Sequence, residues 1–156
     1  MRRSDLDLND YLPYLINRVG SALATRFTED QLAGLGLSIA MWRVLAVLSS
    51  NGGQRQIDLA ELTSIDASTL SRLVTRLVRM DLVVRTRSRT NSREVMVMLS
   101  AKGRAIVSRL IPVARGLEQT LSAGVPKSHA LIVKRSLRKM FANVSRQRSR
   151  RRGDGG

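Results

Sequence analysis

Between residues 68 and 76 the chain gathers its most directed polar chemistry: Ser68, Thr69, Ser71, Arg72, Thr75 and Arg76. Hydroxyls both donate and accept, and a guanidinium presents a planar fork of donors that matches guanine O6 and N7 or the oxygens of a phosphate. None of these groups has a base beside it. The chain holds one histidine and no cysteine, its acids are scattered, and it has no phosphate-binding glycine loop, so acid–base, metal and thiol catalysis all lack their parts. An enzyme is therefore not expected, and no cofactor is. A formal net charge of +15 favours a polyanionic partner, nucleic acid or an anionic membrane face, without naming it; double-stranded DNA becomes the expected partner only once the helices and wing are taken with it.

Those residues need a rigid element to aim them. Leu70, Leu73, Val74 and Leu77 recur at the three-and-four spacing of one helical stripe, which leaves Ser68, Ser71, Arg72, Thr75, Arg76 and Arg79 on other faces. Ser68 and Thr69 fall at the helix start, where hydroxyls meet bases or phosphates; with Arg72 they are assigned to bases, and Thr75 and Arg76 to the backbone. Upstream, Ile57, Leu59, Ala60 and Leu62 suggest a shorter helix, with Ser64 to Asp66 as the turn and Ile65 as its buried anchor. Downstream, residues 82–85 and 94–99 read as strands. The loop between them holds Arg87, Arg89 and Arg93; counting Arg85, it has four arginines and no acid, a tip suited to a narrow minor groove. The expected unit is a winged helix-turn-helix. The bland alternatives are a solvated helix face and a merely soluble basic hairpin.

The rest of the chain reads as helices around this unit. Asp10 is expected to cap a helix from about Tyr11, with Pro13 in its first turn, and Leu12, Leu15, Val19, Leu23 and Phe27 form a stripe that asks for a partner surface. Thr28 to Leu37, with Gly34 and Gly36, reads as a loop or short turn. Ser38 caps a central helix carrying Met41, Trp42, Leu45 and Leu48, which Asn51-Gly52-Gly53 ends. Ser100 caps a long helix from Ala101 to about Leu121, in which Pro112 predicts a kink or break near Ser108. A last helix spans roughly Lys127 to Val144, with Leu131, Val133, Leu137, Met140, Phe141 and Val144 as its expected buried positions. The tail from Arg146 to Arg152 holds five arginines; it is expected to be disordered, either adding non-specific affinity or only solubilising the end. His129 is read as a surface residue and Met96 and Met98 as packing. The fold class is thus mainly α with a small β wing: an N-terminal dimerisation helix over 1–37, the winged unit over 38–100, C-terminal dimerisation helices over 101–145 and a basic tail over 146–156. No apolar run approaches the roughly 20 residues of a membrane span, so no membrane partner is expected and the expected location is cytoplasmic.

The order of parts resembles the MarR (multiple antibiotic resistance regulator) family of bacterial transcription factors, over about residues 8 to 145. The family's wing signature runs Asp-x-Arg, three residues, Val-x-Leu-Thr, two residues, Gly. Asn91, Arg93, Val97, Leu99, Ser100 and Gly103 align with it, and four of the six match. Leu59-Ala60-Glu61 and Ser68 through Leu77 also follow the family's pattern. The resemblance implies a homodimer of triangular outline, with the first and last two helices interlocked between subunits and one recognition helix and one wing from each subunit on a palindromic site. Two departures stand out. Asn91 replaces the aspartate that orients the wing arginine, which leaves the minor-groove residue open among Arg87, Arg89 and Arg93; Asp81 stands where family members often have glycine.

Many relatives bind a small aromatic or anionic effector in a crevice between the dimerisation helices and the DNA-binding lobe. Tyr11, Tyr14, Trp42 and Arg43 come from the two helices that would line it here, the rings to stack and Arg43 to pair with a carboxylate; core packing with a surface arginine is the competing account. The functional expectation is a dimeric, small-molecule-responsive repressor reading a palindromic operator. The alternative is an architectural nucleic-acid binder without sequence preference.

Overall fold

The structure, a computed structural model, describes residues 6–87 and 95–153, with side chains described as far as residue 145. Helix α1 (Leu12–Phe27) runs into a π-helical turn (Thr28–Leu32) and a 3-10 turn (Ala33–Leu35), followed by α2 (Ile39–Asn51), strand β1 (Gln54–Arg55), α3 (Gln56–Thr63) and α4 (Ala67–Arg79). Strands β2 (Val83–Arg87) and β3 (Val95–Leu99) precede α5 (Ala101–Leu121) and α6 (Lys127–Gly153). The strands form an antiparallel sheet ordered β1-β3-β2, with Val83 opposite Leu99, Arg87 opposite Val95, and Gln54 opposite Val97. The helices and the wing are as expected; β1, two residues long, is too short to show any alternation in sequence.

Two compact units divide between Leu117 and Glu118. In the first, α2 lies at the centre, with Met41, Val44, Leu45 and Leu48 buried. Around it close Leu59 of α3, Leu70, Val74 and Leu77 of α4, Val83 and Val97 of the sheet, and Val107 and Leu110 of α5. The expected stripe on α4 is therefore the buried one, and burial of each such side chain contributes on the order of 1.5–3 kcal/mol. Side-chain caps start two helices as the sequence suggests: Ser38 accepts from the Met41 N–H at 3.2 Å and Ser100 from the Gly103 N–H at 2.9 Å. The Ser100 hydroxyl also donates to the Asp81 carbonyl at 2.6 Å, which pins the start of α5 beside the end of the helix-turn-helix. A Cβ on Gly103 would lie 2.0 Å from the Leu82 carbonyl oxygen, so only glycine lets α5 approach that closely.

Several local expectations are corrected. Asp10 does not cap α1; Tyr11 occupies the N-cap with no side-chain hydrogen bond there. Of the two readings for residues 28–37, loop or short turn, the second holds, as two helical turns over 28–35, because Leu32 and Leu37 on either side of the two glycines are both buried and hold the segment against the core. Helix α5 passes through Pro112 without a break. Proline removes the hydrogen bond to the Ser108 carbonyl, but Ser108 is exposed, so water can serve that oxygen. Helix α6 continues to Gly153, beyond the expected end at Val144, since Arg, Gln and Ser supply no helix breaker before that glycine. In the second unit Lys134 pairs with Glu118, and Leu131, Val133, Leu137, Phe141 and Val144 of α6, expected to be buried, are instead exposed together with Ile132, since no other described element of this chain covers them.

Candidate nucleic-acid interface

Helix α3 opens with Arg55 clasping Asp58 through two hydrogen bonds of 2.7 and 2.9 Å and closes on Ser64, whose φ of 56° is left-handed. The Ile65 and Ser64 N–H groups donate back to the Ala60 and Glu61 carbonyls, a closure that stops the helix and reverses the chain. Ile65, the expected buried anchor, is half-buried against the core. Thr63 turns inward, donating to the Leu59 carbonyl at 2.5 Å while only 1% exposed.

Asp66 then starts α4. Its Oδ1 accepts from the Thr69 N–H and from the Ser68 hydroxyl, both at 2.9 Å. Hydrogen bonding from Thr69, hydroxyl first and backbone N–H second, and then from Ser68 lowers the Asp66 pKa to about 2, with the Arg72 charge adding to the effect. The carboxylate therefore stays ionised at the positive end of the helix. Arg72 in turn reaches the Thr69 hydroxyl with Nη2 at 3.4 Å. Ser68, Arg72 and Arg76 are exposed and Thr69, Ser71 and Thr75 half-buried, all on the side of α4 away from Leu70, Val74 and Leu77. The six side chains thus form one polar face on one rigid helix.

The wing meets this face through Arg85, whose Nη2 donates to the Thr75 hydroxyl at 3.0 Å. Arg87 ends β2 and is exposed. Arg89, Arg93 and Asn91 lie outside the described residues. Sequence reasoning counted Arg85 only as loop charge; its distance from Thr75, ten residues along the chain, hides the contact. Asp66, read in sequence only as the last residue of the turn, is also the cap of α4, and an aspartate three residues before a threonine at a helix start is a capping signal.

A separate cavity of about 470 Å³ opens between α1, α2 and α5, lined by Gly20, Leu23, Phe27, Trp42, Arg43 and Leu117 among others. Trp42 stands edge-on to Phe27, ring centroids 5.4 Å apart, and Arg43 donates from Nη1 to the Thr63 carbonyl at 3.3 Å. Tyr11 and Tyr14 do not line it. They sit at the start of α1, about 9 Å or more along the axis from Gly20 at 1.5 Å per residue, and Tyr14 instead faces the Arg18 guanidinium at 5.6 Å. Small residues at Gly20, Ala24, Ala46 and Ala114 leave the space. No cluster of acids and histidine suited to a metal ion occurs among the described residues.

Comparisons with known proteins agree with this geometry. A sequence model of the MarR family matches residues 35–94. The crystal structure of a MarR-family transcriptional regulator from Silicibacter pomeroyi is 31% identical, with a TM-score of 0.79 over 92% of this chain and 97% of that one. The HTH-type transcriptional repressor Rv2887 of Mycobacterium tuberculosis is 28% identical over 129 residues, 83% of this chain and 92% of that protein. BpsR of Bordetella bronchiseptica, whose DNA binding is regulated by 6-hydroxynicotinic acid, shares the fold at a TM-score of 0.77 and 24% identity, over 88% of this chain and 98% of that one.

Proposed function

The chain belongs to the MarR family of DNA-binding transcriptional regulators, and from that premise we propose that it is a homodimeric, effector-responsive repressor of a palindromic operator. The observation that carries the reading is the polar face of α4. Ser68, Thr69 and Arg72 stand at its N-terminal end, fixed by the Asp66 cap, where a recognition helix meets base edges. Thr75 and Arg76, further along, hold the phosphate backbone, and Ser71 lies between. Arg87, Arg89 and Arg93 supply the wing's charge for the adjacent minor groove.

Dimerisation is supported by apolar side chains left in water at both ends of the chain. Leu12, Ile16 and Val19 of α1 are 46, 41 and 46% exposed, and Leu131, Phe141 and Val144 of α6 are 65, 60 and 63% exposed. Apolar surface on this scale asks for a partner, and a second copy supplies one by symmetry. The effector site is the cavity holding Trp42 and Arg43, of a size that suits a small aromatic acid. Regulation of BpsR by 6-hydroxynicotinic acid supports that chemistry. Binding there would shift the population between dimers whose recognition helices match the half-site spacing and dimers whose helices do not. No single helix among the described residues is long and apolar enough to cross a membrane.

Selection from a random duplex library at two salt concentrations tests the reading. The expected product is a pseudo-palindrome with half-sites about one helical turn apart that survives the higher salt. Binding without a motif that vanishes with salt would instead assign the protein to charge-driven, architectural association.

A further inference from the structure

Arg43 belongs to two places at once. Among the described residues it is the single charged one lining the cavity, beside Trp42 and walls that are otherwise apolar, small or neutral. Its guanidinium also holds the Thr63 carbonyl at 3.3 Å, across twenty residues of sequence. That carbonyl ends α3, where the Ala60 and Glu61 carbonyls are already taken by the Ile65 and Ser64 N–H groups. A cation here complements the negative end of the helix. Three residues on, Asp66 caps α4. The side chain that would meet an anion in the cavity therefore also steadies the turn that aims the recognition helix.

We propose that Arg43 is a positioning residue that reports the occupancy of the cavity to this turn. It does so because an aromatic carboxylate seated beside Trp42 draws the guanidinium away from the Thr63 carbonyl. The inference rests on the effector-responsive reading above and names its coupling. A carboxylate is the stronger acceptor, since both partners are then charged and the pairing can be bidentate. Thr63 cannot follow the guanidinium, because its own hydroxyl is fixed inward on Leu59. Release leaves the end of α3 without its cation, and the left-handed Ser64 becomes the loosest point between the two helices.

Trp42 is the chain's only tryptophan, so its fluorescence reports the cavity directly. Benzoate and 6-hydroxynicotinate are the probes, with benzamide as the uncharged control. They are titrated into the wild type, Arg43→Met and Arg43→Lys, each with and without the selected operator duplex. In the wild type the acids quench Trp42 and weaken the duplex complex about tenfold or more, the scale of one lost charged hydrogen bond; benzamide leaves the complex unchanged. Without any probe, Arg43→Met speeds amide exchange at Ser64 to Asp66 about tenfold and leaves exchange in β2 and β3 as it was. Its duplex affinity then no longer responds to acid, while Arg43→Lys retains part of the response. The proposal is overturned by an Arg43→Met protein that still responds as the wild type does, by unchanged exchange at Ser64 to Asp66, or by acids that fail to quench Trp42 in the wild type. Failure of the wild type to select any duplex would count against the operator-binding reading itself, and the exchange measurement would still decide whether Arg43 holds the turn.

Discussion

Arg85 on β2 donates to the hydroxyl of Thr75 on α4 at 3.0 Å, so the wing and the recognition helix are tied together on their solvent side. Both groups are accessible, and the bond itself adds little to folding. On the proposed function, its value lies in fixing the angle between the two elements proposed to meet DNA. Arg85→Ala is expected to weaken operator binding roughly tenfold while changing unfolding free energy by less than about 0.5 kcal/mol. Fluorescence anisotropy and urea denaturation measure the two effects. Undiminished affinity would show that the wing finds its angle without this contact.

Arg72→Ala is expected to cost about 1–3 kcal/mol of operator binding and to relax discrimination at one base position, because the guanidinium is assigned to a guanine edge. Arg76→Ala should instead weaken all duplexes alike and reduce the salt slope by about one. Equal losses on operator and scrambled DNA for Arg72→Ala would move that residue to the backbone.

Asp66 gives the acid limb of stability a definite sign. Its pKa falls from 3.8 to about 2 on folding, so the stabilisation it contributes is complete above about pH 3.8 and is lost as the pH drops through 2. Asp66→Ala should therefore melt below the wild type at neutral pH and converge with it toward pH 2, as followed by circular dichroism. Parallel curves at every pH would mean that the cap acts without its charge.

Gly103→Ala places a methyl group 2.0 Å from the Leu82 carbonyl oxygen. Backbone on both sides leaves nothing flexible to yield, so a loss of about 3 kcal/mol is expected, read as a lower midpoint in urea. A stability equal to the wild type would mean that α5 can lift from Leu82 at no cost. The same contact gives a physical reason for the glycine that closes the wing signature.

Much of this was legible because one residue type decided one local structure. Leu70, Val74 and Leu77 set the buried side of α4, and Ser38 and Ser100 set two helix starts. The departure at Asp81 also resolves in the fold: its φ is 58°, a conformation that costs glycine nothing and that aspartate tolerates better than most residues. What sequence hid were relationships between distant segments. Gly34 and Gly36 signal a loop, yet Leu32 and Leu37 hold the stretch in helical turns. Tyr11 and Tyr14 share a helix with the cavity wall, but the small side chains that create the space are Gly20 and Ala24, more than a turn away. The bonds from Arg43 to Thr63 and from Arg85 to Thr75 join elements whose mutual placement no local pattern encodes.

The π-helical turn at Thr28–Leu32 acts as slack at the end of α1. Such a turn accommodates one residue more than an α-helical path would need. Deleting a single residue from it lets an ordinary helix run through with both flanks kept in register, since the residue removed is the one the wider turn absorbs. Gly20, Leu23 and Ala24 would keep their places on the cavity wall. A one-codon deletion is therefore absorbed at this turn, whereas the same deletion between Ala24 and Phe27 would swing the cavity's α1 lining off the wall by about 100°.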